Sequence, residues 1–163
     1  MAKPLEKPRP RPTKARPTRA RPESRPERHA YLALLGLRTI DTPRLLDRVE
    51  EGFVFSALEH FQRASELSTS EVAELVQIKP RTLSRRREEG RLQPDESDRL
   101  VRAARVVGRA LDLFEGDVRA ARQWLSTAQL ALGGASPLSL ARTEVGAREV
   151  ENLIGRLEEG VFS

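Results

Sequence analysis

Residues 78–92, IKPRTLSRRREEGRL, place five arginines, one lysine and two glutamates in fifteen positions. Arginine pairs with guanine edges in the DNA major groove, and basic or hydroxyl side chains bind phosphates. A run of charges is, however, more often the solvated face of an ordinary helix. The residues on either side of the run are needed to choose between these two interpretations.

A helix-turn-helix pattern surrounds the basic run. Ser68 and Glu71 form an S-x-x-E capping box that starts one helix, and Leu67 precedes it as a hydrophobic staple. This helix is predicted to end near Gln77, and a second one to start at Pro80. Two short helices joined by such a turn are typical of DNA-binding proteins. Five small or apolar residues are expected to lie beneath the motif: Val72, Ala73, Val76, Ile78 and Leu83.

Helical phase divides the basic residues of the second helix into groups. With Leu83 facing inward and about 100° between successive residues, Arg81 and Arg85 point outward, flanked by Thr82 and Ser84. The N-terminal residues of a recognition helix contact base edges, so this face is predicted to bind DNA.

Lys79 and Arg86 lie at the edges of this face and are predicted to contact phosphates, whereas the stem of Arg87 is expected to lie on apolar surface. The predicted DNA-binding residues are Lys79, Arg81, Thr82, Ser84, Arg85 and Arg86.

Two features oppose this assignment. Glu88 shares the outward face and would repel phosphates, and Gln77 occupies a turn position that often holds glycine. A left-handed backbone there would cost about 1 kcal/mol.

The chain from His29 onward is predicted to form about eight helices with short connections and no strand. Leu100, Ala104, Val107, Leu111 and Phe114 repeat at steps of four and three, which indicates an amphipathic helix. The predicted helix N-caps are Thr42, Ser68, Asp95, Asp117 and Ser136. Helix breaks are expected at Gly52, Gly133–Gly134, Gly146 and Gly160. Gly146 would interrupt the final helical segment.

The positive charge of the chain is concentrated at its start. Residues 1–28 hold ten Lys or Arg, three Glu and seven of the eleven prolines, a net charge of +7, whereas the other residues sum to −2. Without apolar periodicity this tail is predicted to be disordered. It would either add salt-sensitive attraction to DNA or act only as a solubilising leader.

Composition excludes several functional classes. There is no cysteine, and two distant histidines do not suggest a metal cluster. No apolar run approaches the ~18 residues of a membrane span, and no signal peptide is evident, so a cytoplasmic protein without membrane association is expected. We find no nucleophile–base pair and no phosphate-binding glycine loop, so an enzyme is the weakest interpretation, and no metal or cofactor is expected.

The order of several short motifs resembles the Xre/MbcA/ParS-type antitoxins of bacteria. These motifs are RTLSRR, ESDRL, AARQWL, ALGGASPL and a closing T-x-x-G-x-x-x-V, which lie between Leu67 and Val161. Each is weak alone, but their order and spacing are specific. The N-terminal tail lies outside the resemblance.

The resemblance implies a protein partner. Such antitoxins pair with a RES-domain toxin that acts on NAD⁺, and they block its active-site cleft, often with the extreme C-terminus. The residues that this implies for toxin binding are Glu159, Gly160, Val161, Phe162 and Ser163. The resemblance also implies binding to double-stranded operator DNA, repression of the protein's own promoter, and a homodimer.

The sequence therefore predicts an all-α fold. An Xre-like helix-turn-helix domain (29–99) would pack with a C-terminal helical toxin-binding domain (100–163) behind the disordered basic tail (1–28). Two other functions stay open. The protein could be a stand-alone transcriptional regulator without a toxin, or an interaction protein whose helix-turn-helix no longer binds DNA.

Overall fold

The computed structural model describes residues 30–38 and 40–160, so the basic tail lies outside it. The described residues form α-helices, two 3₁₀ segments (Ala30–Leu35 and Leu130–Leu132) and one isolated β-bridge between Val54 and Arg91. The helices are α1 (Thr42–Glu51), α2 (Phe55–Ser65), α3 (Thr69–Leu75), α4 (Pro80–Glu89), α5 (Pro94–Leu113), α6 (Val118–Ser126), α7 (Pro137–Leu140) and α8 (Glu144–Glu158). The predicted all-α class is confirmed.

The long helix α5 lies at the centre of the core. It packs against the first 3₁₀ segment and against α1, α6 and α8. Its predicted apolar stripe is confirmed: Leu100, Ala104 and Val107 are buried, and Leu111 and Phe114 are partly buried against them. The domain boundary expected after residue 99 falls within this continuous helix, which contributes to both halves of the core.

A glycine allows the first 3₁₀ segment to approach α5 closely. A Cβ atom added at Gly108 would lie 2.9 Å from the Cβ of Tyr31, closer than real side chains pack. Glycine inside a helix costs about 1 kcal/mol relative to alanine. At position 108, glycine permits a close contact between α5 and the first 3₁₀ segment that a larger residue would prevent.

Five predicted helix N-caps have mixed outcomes. Those at Ser68, Asp117 and Ser136 are confirmed, since each side chain accepts a backbone hydrogen bond. Those at Thr42 and Asp95 are wrong. Asp41 caps α1, with its Oδ1 accepting from Arg44 N at 3.0 Å, and Gln93 is the N-cap of α5. Proline is tolerated throughout the first helical turn, where backbone N–H groups have no acceptor, so it does not mark the cap precisely.

The helix boundaries in the C-terminal half differ from those predicted. Gly146 does not interrupt a helix but lies in the first turn of α8, where an added Cβ would be 2.0 Å from the carbonyl oxygen of Leu140. The break precedes it, and Thr143 caps α8 by accepting from Gly146 N at 3.1 Å. Likewise α6 ends at Ser126 rather than at Gly133–Gly134, which follow the second 3₁₀ segment. The predicted breaks at Gly52 and Gly160 are confirmed, with positive φ at both.

Candidate nucleic-acid interface and C-terminal surface

The first helix of the motif, α3, begins at the predicted capping box. Glu71 N donates to Ser68 Oγ at 3.2 Å, and Ser68 N donates to Glu71 Oε2 at 2.7 Å. Partial burial alone would raise the pKa of Glu71. The pKa is nevertheless lowered overall, because the carboxylate is stabilised by the amide and hydroxyl of Ser68 and by the guanidinium of Arg122. Arg122 belongs to α6, 3.5 Å away, so this carboxylate both caps α3 and joins it to the C-terminal half.

The turn between α3 and α4 is a Schellman motif. Ile78 N donates to Ala73 O at 2.9 Å, and Gln77 N donates to Glu74 O at 3.1 Å. Gln77 has φ of 54°, which confirms the left-handed backbone considered at this position. The apolar residues expected beneath the motif are all buried: Val72, Ala73, Val76, Ile78 and Leu83.

The outward face of α4 carries the predicted base-contacting residues together. Arg81, Thr82, Ser84 and Arg85 line one concave patch with Glu88. Arg81 makes no ion pair within the described part of the chain, and the Arg85 side chain is 60% exposed with Glu89 3.7 Å away. Exposed ion pairs of this kind contribute little, so both guanidinium groups are available to a ligand.

The first residues of α4, from Lys79 to Arg81, are exposed. Its N-cap residue, Lys79, is exposed and makes no side-chain hydrogen bond to the helix. The first backbone N–H groups of a helix lack intrahelical acceptors and carry a partial positive charge, which suits a phosphate. Contact between Lys79 and a phosphate stays a prediction.

Arg86 does not lie at the exposed edge expected from helical phase. The residue is only 8% exposed, and its Nε lies 2.7 and 3.0 Å from the two carboxylate oxygens of Glu96. Its Nη1 donates to Glu89 at 2.7 Å. The hydrogen bonds that Arg86 donates to Glu96 and then to Glu89 raise its pKa well above the ordinary value. The predicted edge position was wrong because Arg86 is buried in its pairing with Glu96 of α5 and with Glu89.

Arg87 lies on apolar surface as predicted. Its guanidinium is 5.3 Å from the centroid of the Phe55 ring, and its Nε is 3.6 Å from Glu59. Both partners belong to α2. Buried Arg86 thus joins α4 to α5, and Arg87 lies against α2, whereas Arg81 and Arg85 face outward.

The turn of the motif contacts the C-terminal half, a contact that the sequence analysis missed. Gln77 Nε2 donates to Arg142 O at 2.8 Å. Buried Arg102 of α5 holds the same loop by donating to Ala141 O at 3.1 Å and to Arg142 O at 2.7 Å. Burial lowers the pKa of Arg102, although the nearby carboxylates of Glu144 and Asp98 oppose this. No local sequence signal points to these contacts, since they join residues about forty or more positions apart.

The C-terminal helix α8 is joined to α5 by ion pairs. Arg105 pairs with Glu144 at 3.0 Å and also with Glu151, and Arg109 pairs with Glu158 at 2.9 Å. Of the predicted toxin-binding residues, Glu159 and Gly160 are exposed just beyond α8. Val161, Phe162 and Ser163 lie outside the described residues.

Within residues 30–38 and 40–160, no group of three or more His, Asp or Glu side chains is arranged to hold a metal ion. None of the helices in these ranges combines the length and the apolar character needed to cross a membrane.

Two family models match the chain in consecutive order. Residues 44–105 match the antitoxin Xre-like helix-turn-helix domain, and residues 109–160 match the antitoxin Xre/MbcA/ParS C-terminal toxin-binding domain. The first match contains α3 and α4, and the second contains α6, α7 and α8.

Curated relatives show the same similarity over most of the chain. An antitoxin Xre of Yersinia enterocolitica is 43% identical over 120 residues, which cover 73% of this chain and 81% of the relative. Antitoxin Xre proteins of Photorhabdus laumondii and Pseudomonas putida are 35% and 30% identical. These alignments cover 79% and 81% of this chain, and 88% and 85% of the two relatives.

Proposed function

This chain belongs to the Xre family of antitoxins, and from that membership we propose that it neutralises a RES-domain toxin and represses their shared operon. Membership gives the chain a helix-turn-helix domain followed by a C-terminal toxin-binding domain. The observation that carries the DNA-binding part of the proposal is the outward face of α4, where Arg81 and Arg85 are available to a ligand.

DNA binding is proposed to place α4 in the major groove of double-stranded operator DNA. Arg81 and Arg85 pair with guanines, Thr82 and Ser84 contact bases or phosphates, and Lys79 binds a phosphate beside the open N-terminus of α4. Support comes from the grouping of four of these side chains in one concave patch. Arg86, by contrast, is assigned a positioning role, because its guanidinium is engaged by Glu96 and Glu89.

Toxin neutralisation is proposed to use the residues that follow α8. Glu159 and Gly160 lead into Val161, Phe162 and Ser163, whose two apolar side chains enter the NAD-binding cleft of the toxin. Gly160 supports this role, because its φ of 69° is left-handed and does not continue the helical backbone of α8. Such a protein acts by stoichiometric occlusion and is not itself an enzyme.

A cytoplasmic homodimer is the proposed form on DNA. A helix-turn-helix dimer contacts two half-sites one helical turn apart and so binds a palindromic operator more tightly than one copy does. This arrangement would bring two copies of α4 to the same operator.

The proposal is tested by expressing the chain with the RES-type protein encoded beside its gene. We expect the two proteins to co-purify and NAD⁺ consumption by the toxin to cease when the antitoxin is present. If the chain binds its upstream DNA but neither binds nor inhibits a RES-type protein, the stand-alone regulator is the better description. Loss of DNA binding with retained inhibition would instead indicate a pure interaction protein.

A further inference from the structure

Glu88 lies on the same stripe of α4 as the two proposed base-contacting arginines. Arg81, Arg85 and Glu88 are spaced i, i+4, i+7, so they share one helical face. Glu88 is exposed and lines the concave patch that also contains Thr82 and Ser84. An acidic side chain therefore lies at the C-terminal end of a surface proposed to bind a polyanion.

The fold does not use this carboxylate. The neighbouring Glu89 pairs with Arg85 at 3.7 Å and with Arg86 at 2.7 Å, and Glu96 pairs with Arg86. Glu88 makes no ion pair with any described residue. The two adjacent glutamates of α4 thus differ: Glu89 pairs with two arginines of its own helix, whereas exposed Glu88 forms no ion pair with a described residue.

The major groove limits which DNA groups can satisfy Glu88. Phosphates, guanine O6 and N7 and thymine O4 are all acceptors, so a carboxylate is repelled by them. The available donors are the N4 amino group of cytosine and the N6 amino group of adenine. Adenine also presents the N7 acceptor beside its donor, which makes cytosine the better partner.

We propose that Glu88 is a specificity-determining residue that accepts a hydrogen bond from the N4 amino group of an operator cytosine. The inference rests on the proposed DNA binding by α4. Seven helical residues rise about 10 Å. At 3.4 Å per base pair, this rise places the cytosine within about three base pairs of the guanine that faces Arg81. Glu88 lowers affinity for other sequences by repelling their acceptors.

The test compares full-length wild type, Glu88→Gln and Glu88→Ala on a library of operator half-sites with every single base substitution. For wild type, replacing the critical cytosine is expected to weaken binding roughly 5- to 150-fold, which corresponds to the discrimination of one good base contact. Glu88→Ala should reduce this preference to about threefold or less. Glu88→Gln should move it toward adenine, because glutamine pairs with adenine N6 and N7.

Glu149→Gln is the matched control. Glu149 is an exposed residue of α8 that forms no ion pair with any described residue, so this variant removes one negative charge away from α4. It should retain every base preference of the wild type. Unchanged preference at all positions in both Glu88 variants would overturn the inference while leaving DNA binding by α4 intact. If wild type shows no preferred sequence at all, the proposed function fails and the inference fails with it.

Discussion

Arg86 and Glu96 fasten the proposed recognition helix to the start of α5. The guanidinium Nε lies 2.7 Å from one carboxylate oxygen and 3.0 Å from the other. The same carboxylate accepts from Gln93 N at 2.8 Å in the first turn of α5. One buried side chain therefore caps the central helix and sets the position of α4, so that the exposed arginines of α4 project from a fixed base.

Removing either member of this pair is expected to destabilise the protein. Arg86→Ala leaves the buried Glu96 carboxylate without its cation, and Glu96→Gln leaves the buried Arg86 guanidinium without its anion. The free energy of unfolding should fall by about 3 kcal/mol in either variant. The exposed neighbour provides the control, because Arg85→Ala should cost at most about 1 kcal/mol. Urea unfolding monitored by circular dichroism measures both. Equal decreases in the free energy of unfolding for Arg86→Ala and Arg85→Ala would show that the buried Arg86–Glu96 pair does not add to stability.

Two substitutions at Gln77 should separate backbone strain from hydrogen bonding. Gln77→Ala keeps a side chain in the left-handed position and loses the bond to Arg142 O, so the free energy of unfolding should fall by about 1 kcal/mol. Gln77→Gly loses the same bond but relieves about 1 kcal/mol of strain, so its stability should be close to wild type. Chemical denaturation that gives equal stabilities for the two variants would contradict the strained turn.

Acid should weaken the α3 cap through Glu71. Its pKa is lowered in the folded protein, because the hydrogen bonds from Ser68 and the nearby Arg122 outweigh the opposing effect of burial. The stabilisation is therefore present above the unfolded pKa of about 4.3 and is lost as pH falls through the lower folded pKa.

The corresponding variant is Glu71→Gln, which can still accept the capping hydrogen bonds but carries no charge. At pH 7 it should melt about 2–4 °C below wild type, and the difference should shrink and then disappear as the pH falls below the folded pKa of Glu71. Melting temperatures across this range measure the effect. The exposed control Glu149→Gln should follow wild type throughout, and a Glu71→Gln deficit that persists in acid would exclude an ionic origin.

Truncation after Gly160 should separate the two proposed activities. It removes Val161, Phe162 and Ser163 but keeps α8 and the pair between Arg109 and Glu158. We expect toxin neutralisation in a co-expression growth assay to be strongly weakened, with the affinity for operator DNA changed by less than about threefold. A growth assay in which the truncated chain protects fully would remove the C-terminal anchor from the account.

The sequence was sufficient where the determining contacts are local. The box between Ser68 and Glu71 and the start of α4 at Pro80 depend on residues at most a few positions apart. Leu83 was placed inward because it is apolar, and its burial confirms this. A left-handed backbone was considered at Gln77 from the sequence, and the structure has it.

Long-range contacts explain what the sequence did not predict. The phase of α4 places residues 86 and 87 on either side of Leu83, and only the position of α5 decides that Arg86 is the buried one. The bond from Gln77 to Arg142 spans sixty-five positions and has no local pattern. Gly146 was interpreted as a helix break because glycine usually weakens a helix, but it instead allows close packing against Leu140.

The most direct test of the central claim is operator binding by the Arg81→Ala/Arg85→Ala variant. The measurement is a quantitative gel shift on the DNA upstream of the gene, with circular dichroism to verify that helicity is unchanged. Because each base-contacting arginine contributes about 1–3 kcal/mol of discrimination, specific affinity should fall by about a hundredfold or more. Toxin neutralisation should be retained. Wild-type affinity in the double variant would contradict the assignment of α4 as the recognition helix.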